Sequence, residues 1–341
     1  MKPWHNSARD IAVKNAAPKF SAPRREKTNR FAATRRCRCR NPGLCRLPID
    51  SSNTLTPLGL MATGIFFHYQ RGERLKDFPQ ALDKLLGRAN VFFYDAFYPS
   101  KPDSAFEIEP VAIETLRKVH SRDMIEQVGI TGNYEGALYS AAGTIAAAKR
   151  IWAEELKNAF VFTGFGDHHA GSTFFGGGCY FNGAAIAIRE LREKFGVNRF
   201  TIIDTDAHHG DGTWELFKGD LDVLYLCLCH DPSGTENGNV NIHIPMQTDD
   251  DRYLGIAINA FERWIKNFSP EIIFWNWGYD GTKGEYGDIG LSPELHVRLA
   301  LEIRKVADEF CNGRLVVILC GGSGRNLASL IIPRIIEILS N

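Results

Sequence analysis

Residues 199–213, RFTIIDTDAHHGDGT, run from a short apolar stretch directly into three aspartates and two adjacent histidines. The apolar half reads as a buried strand, and the polar half crowds titratable side chains onto its carboxyl end. Working outward, "GIFFHY", "NVFFYD", "AFVFTG", "DVLYLCL", "EIIFWNW" and "RLVVILC" have the same β-rich character, and each ends near glycine or polar residues. Between these runs lie longer segments with apolar residues at helical spacing, such as "NGAAIAIRELREKFG" and "SPELHVRLALEIRKVADEF". Strands buried on both faces with helices between them predict an α/β fold: a doubly wound, mainly parallel sheet with helices on both faces. No internal repeat or linker interrupts residues 61–341, so that span is expected to form one domain.

In such a sheet, ligands bind outside the carboxyl ends of the strands. Four strand candidates end in "FGDHHAG", "TDAHHGDG", "GYDGTKGEYGD" and "GGSGRN". Clustered carboxylates on one rim repel unless a cation or protons compensate them. In an extended stretch alternate side chains share a face, so Asp204, Asp206 and His208 can point one way. Asp206 and His208, with Asp280 from another strand end, are the expected metal ligands. Two carboxylates and one imidazole leave positions open for water and substrate, which suits Zn²⁺ and tolerates Fe²⁺ or Co²⁺. Two anionic ligands also weaken the acidifying effect of the ion, so a separate base is useful. His168 and His169 are the candidates, with Asp204 and Asp211 as carboxylate partners.

The chain has 341 residues and a formal net charge of zero. That balance conceals a basic leader, because residues 1–60 hold thirteen Lys or Arg against three Asp or Glu. Rich in Arg, Ser, Asn and Pro and without apolar periodicity, the leader is expected to be disordered. It reads as an upstream extension, a targeting segment or a basic arm. Cys37, Cys39 and Cys45 within it lack the paired spacing of a zinc module. Cys179, Cys227, Cys229, Cys311 and Cys320 lie in or beside apolar segments, as reduced thiols of an intracellular protein would. With no apolar run of membrane-spanning length, a cytoplasmic protein is expected, or an organellar or nuclear one if the leader is an address. The catalytic span carries no nucleic-acid signature, and its acidic balance favours a cationic partner.

Taken in order, "GDHHAG", "DTDAHHGDGT", "GYDGTKGEYGD" and "LCGGSGRN" resemble the histone deacetylase family with its acetoin-utilization and acetylpolyamine relatives, over about residues 63–340. The resemblance implies an arginase-like fold and removal of an acetyl group from an N-acetylated amine: a protein lysine, a polyamine or a small metabolite. It implies Asp206, His208 and Asp280 as metal ligands and His168 and His169 as the catalytic pair, oriented by Asp204 and Asp211. It also implies a structural K⁺ near Asp204, Asp206 and His208.

Three departures limit the likeness. The family's last motif carries a tyrosine whose hydroxyl stabilises the oxyanion, and here Arg325 stands about where it would fall. Arg325 is therefore the expected donor, because guanidinium stays protonated, with Ser323 and Tyr286 as alternatives. A tunnel phenylalanine is replaced by Gly178, and a second tunnel aromatic is missing from "HDPSGTENGN". Besides a deacetylase, these facts allow a silent acyl-lysine or metal-binding module. A ureohydrolase is less well matched, since it needs two metals and more aspartates than these strand ends supply.

Overall fold

In a computed structural model of the protein, residues 62–67, 81–95 and 108–341 are described. The expectations for residues 1–60 lie outside them.

Nine strands form one sheet: β1 (Thr63–Phe67), β2 (Val91–Asp95), β3 (Asn158–Val161), β4 (Phe200–Asp204), β5 (Val223–Cys229), β6 (Gly234–Glu236), β7 (Asn239–His243), β8 (Ile272–Trp277) and β9 (Leu315–Leu319). Their order across the sheet is β2-β1-β3-β9-β8-β4-β5-β7-β6. All pairings are parallel except β6 with β7. The seven expected strands are all present. The β6–β7 hairpin was not anticipated, because its strands are short and polar. Its turn, Asn237-Gly238, has φ of 46° and 95° and so uses the Asn-Gly pair that tolerates two left-handed residues.

Period-two alternation divides each central strand between two cores. Along β5, Leu224, Leu226 and Leu228 face one side, against the core that holds the helices Asp250–Ala260, Pro293–Cys311 and Arg325–Ser340. Val223, Tyr225, Cys227 and Cys229 face the other, with the helices Tyr134–Trp152 and Gly183–Phe195. A strand buried on both faces has no polar alternation, and this explains the uninterrupted apolar runs. Trp275 and Trp277 are fully buried core residues.

The topology then determines where the motifs meet. From β3 the chain crosses through the helix Gly183–Phe195 to β4, three places away, and β8 and β9 later fill the gap. β3, β9, β8 and β4 are thus consecutive and parallel, and the four loops that follow them open on one edge of the sheet. Two caps tie down the first of these loops. Asn182 accepts from Ala185 N at 2.9 Å, and the buried Asp167 accepts from Ala184 N at 3.1 Å, both at the start of the crossover helix.

Candidate active site

Asp204 is the last residue of β4, and Asp206 and His208 lie on the turn that follows it. Asp280 arrives three residues past the end of β8. His208 Nδ1 stands 3.1 Å from Asp206 Oδ1 and 2.8 Å from Asp280 Oδ2. One ligand atom from each of the three residues lies within 4.8 Å of the other two. The remaining carboxylate oxygens are held by backbone amides, Asp206 Oδ2 by Gly321 N at 2.7 Å and Asp280 Oδ1 by Ala207 N at 3.2 Å. Apart from its ion-pair contact with His208 Nδ1, the buried Asp280 Oδ2 has no hydrogen-bond partner. An orphaned carboxylate oxygen beside a second carboxylate and an imidazole nitrogen is a donor set that suits Zn²⁺.

The charges in this cluster support the same reading. Burial and the Asp206 carboxylate push Asp280 up to about 6, whereas Asp206 is held low because His168 and His208 outweigh its burial. Asp206 and Asp280 together raise His208 to about 10, so a cation at this point takes over a role that protons otherwise fill. The strand ends approach so closely that side chains are excluded. A Cβ at Gly278 would come within 2.4 Å of Asp206 Oδ2, and one at Gly321 within 2.3 Å.

The tandem histidines differ in environment. His168 is buried, with Nδ1 3.1 Å from Asp204 Oδ2 and Nε2 3.7 Å from Asp206 Oδ1. Burial works against charging this ring, but Asp204 and Asp206 outweigh it and hold its pKa well above the usual histidine value. Asp204 Oδ2 also accepts from the Tyr225 hydroxyl at 2.8 Å, which fixes the carboxylate from behind. His169 is more open, and its Nδ1 lies 2.7 Å from Asp211 Oδ1. With each Nδ1 engaged by a carboxylate, Nε2 is the ring nitrogen left for proton exchange.

Both histidines line a cavity of about 300 Å³ together with Asp206, His208, Gly177 and Tyr286. Gly177, not Gly178, forms the wall on that side. A Cβ at Gly177, whose φ is 55°, would meet His169 Cδ2 at 2.5 Å. Among the described residues, Tyr286 is the only Phe, Tyr or Trp in the lining.

The structure separates the three candidate oxyanion donors. Arg325 is exposed at the start of the last helix and is not among the residues lining the cavity. The residue aligned with the family tyrosine by offset thus stands outside the cavity lining, at the point where the "GGSG" turn leads into helix. The Ser323 hydroxyl donates to Glu285 Oε2 at 2.7 Å, and Glu285 also receives Ser323 N and Gly324 N. Tyr286 stacks on His208 with ring centroids 5.6 Å apart, and its hydroxyl accepts from Gly322 N at 2.9 Å.

Sequence reasoning passed over Asp167, Tyr225 and Glu285, which position the site from behind. Asp167 had a signal in its place directly before the tandem histidines. Tyr225 and Glu285 had none, since their partners lie far along the chain. His296 is buried between Trp277 Nε1 at 3.1 Å and Thr282 Oγ1 at 2.8 Å, as a core histidine.

A family model described as histone deacetylase domain matches residues 130–338. A probable deacetylase of Archaeoglobus fulgidus is 28% identical over 293 residues, covering 77% of this chain and 81% of that protein. Human histone deacetylase 9 is 28% identical over 211 residues, 55% of this chain but only 20% of that protein. Histone deacetylase 4 of Caenorhabditis elegans is 30% identical over 205 residues, 53% of this chain and 23% of that protein. The chain thus spans most of the archaeal relative and about a fifth of the two animal ones. Because the matched span runs from the helix before the tandem histidines to the final helix and takes in every site residue above, the chain belongs to the histone deacetylase family.

Proposed function

We propose that the protein is a metal-dependent amidohydrolase that removes the acetyl group from an N-acetylated amine. The observation that carries this reading is the meeting of Asp206, His208 and Asp280 beside a cavity lined by the first two and by both carboxylate-backed histidines. Zn²⁺, held by those three side chains, would supply Lewis-acid chemistry, polarising a carbonyl and acidifying water. Fe²⁺ or Co²⁺ would fit the same donors. The family resemblance adds a structural K⁺ near Asp204, Asp206 and His208.

His168, buried between two aspartates, stays charged and stabilises negative charge in the cavity. His169, more open and oriented by Asp211, takes the proton from the attacking water at Nε2. The same ring returns that proton to the amine nitrogen as the C–N bond breaks, leaving acetate and free amine. The Tyr286 hydroxyl donates to the oxyanion of the tetrahedral intermediate, the role first expected of Arg325. A cavity of about 300 Å³ accommodates an acetyl group and a methylene stem, as acetyl-lysine, an acetylated polyamine or a small acetylated metabolite would present.

The test is acetate release from an acetyl-lysine peptide and from acetylated polyamines, with the metal removed and then restored as Zn²⁺. Metal-dependent turnover on either class is expected. Stoichiometric metal binding without turnover on any of these amides would favour a silent binding module.

A further inference from the structure

Outside the lining of that cavity, a second group of atoms able to bind a metal comes together. His209 directly follows the ligand His208, while Cys227 and Cys229 lie two apart on β5 and project to the same face. One ligand atom each from His209, Cys227 and Cys229 lies within 4.8 Å of the other two. Asn241 on β7 pairs in register with Cys227 and so projects to the same face. Its Nδ2 donates to Asp231 O at 3.1 Å and Pro232 O at 2.9 Å, which turns Oδ1 inward. That oxygen lies 3.2 Å from both His209 Nδ1 and Cys229 Sγ, and Cys229 Sγ lies 3.7 Å from His209 Nδ1.

We propose that His209, Cys227, Cys229 and Asn241 form a second, buried metal site, for a thiophilic divalent ion of the Zn²⁺ class. In a tetrahedral site, bond lengths of about 2.3 Å to sulfur and about 2.0–2.2 Å to nitrogen or oxygen put neighbouring donors roughly 3.3–3.8 Å apart. Three of the six edges, at 3.2, 3.2 and 3.7 Å, lie close to that spacing, and the Cys227 sulfur is within 4.8 Å of the His209 and Cys229 donor atoms. Two sulfurs and an imidazole select Zn²⁺ over Mg²⁺ or Ca²⁺, which prefer oxygen donors. The K⁺ implied by the resemblance would be held by the backbone around Asp204, Asp206 and His208 with help from the same "LCLC" strand, so the two sites adjoin, and the one proposed here differs from it in using side-chain sulfur and nitrogen.

A Cys227–Cys229 disulfide fits less well. Residues two apart on a strand have Cα atoms about 6.6 Å apart with parallel Cβ directions, whereas a disulfide needs Cβ atoms roughly 3.8 Å apart. The ion would also brace the catalytic side. His209 adjoins His208 in the chain, and Tyr225, on the same face of β5 as both cysteines, holds Asp204.

The test uses the full chain, reduced, stripped of metal and titrated with CoCl₂. Thiolate ligation produces a charge-transfer band in the near ultraviolet, which the sulfur-free Asp206, His208 and Asp280 site cannot generate. The wild-type chain is expected to bind two Co²⁺ and to show the band. Asp280→Ala should lose one ion and keep the band, while Cys227→Ser and Cys229→Ser should each keep one ion and lose it. The proposed hydrolase reading can therefore fail while this one stands, and the reverse. No band in the wild-type chain would overturn the proposal. So would a band that survives the double Cys227→Ser, Cys229→Ser variant, which would assign it to other cysteines. If the variants do not fold, X-ray absorption at the cobalt edge of the wild-type chain decides, with sulfur scatterers at about 2.3 Å expected and oxygen or nitrogen alone contradicting the site.

Discussion

Replacing Tyr286 with Phe removes one oxygen from the cavity and little else. The ring can remain stacked on His208, and Asp206, His208 and Asp280 keep all their donor atoms. The folded chain loses the hydrogen bond from Gly322 N, now 2.9 Å long. Tyr286 is 62% exposed, so water can replace that partner, and the cost should sit near the bottom of the roughly 0.5–1.5 kcal/mol range for such bonds. If the hydroxyl donates to the oxyanion, turnover should fall by about 10²–10³, equivalent to roughly 3–4 kcal/mol of transition-state stabilisation. Because that interaction strengthens only as the oxyanion forms, kcat and kcat/KM should fall together. Steady-state kinetics on an acetylated amine, with metal content and thermal melting measured on the same preparation, separates the two effects. Arg325→Met serves as the comparison, since its exposed side chain lies outside the cavity lining, and it should keep nearly full turnover. Tyr286→Phe activity within about threefold of wild type would refute the assignment, and a large loss in Arg325→Met would return the role to Arg325.

His169→Ala should leave the metal bound and lower turnover by about 10²–10⁴; unchanged turnover would make the histidine a structural residue. Gly321→Ala should expel the metal, because its Cβ would approach within 2.3 Å of Asp206 Oδ2, and elemental analysis showing full occupancy would contradict the tight packing inferred there. Acid should destabilise the fold through two buried histidines, His120 and His296, which burial lowers from 6.5 to about 4. Their hydrogen bonds agree, since Asn182 N donates to His120 Nε2 at 3.0 Å and Trp277 Nε1 to His296 Nδ1 at 3.1 Å, leaving no lone pair for a second proton. At these two rings the unfolded chain therefore binds more protons between pH 6.5 and about 4, and the stability they contribute above that window is lost as pH falls through it. The loss should approach an order of 3 kcal/mol per ring once below the window. Asp167 and Asp280, raised to about 7 and about 6 chiefly by burial, take up protons in the folded chain over the same range and offset that loss, so imidazole NMR titration of each ring is the check, and a ring that charges near pH 6.5 in the folded chain would rule it out.

Much of this protein was legible in the chain because its central strands are buried on both faces. Such strands must be apolar throughout, so "AFVFTG", "RFTIID", "EIIFWNW" and "RLVVILC" announce themselves without any partner. In a parallel sheet their carboxyl ends share one edge, and the Asp and His residues that follow them are predicted to converge before any distance is known. What only the tertiary structure decided are relations between segments far apart in sequence. Arg325 matched the family tyrosine by offset, but the helix that begins at that residue carries it to the surface. Tyr286 enters the cavity instead because the loop after β8 folds onto the turn after β9, joined by Gly322 N to Tyr286 and by Ser323 and Gly324 to Glu285. The meeting of His209 with Cys227, Cys229 and Asn241 likewise depends on the register of β5 against β7. A one-residue slip would turn Asn241 to the opposite face, and hydrophobic pattern alone does not determine that register for a strand as short and polar as β7.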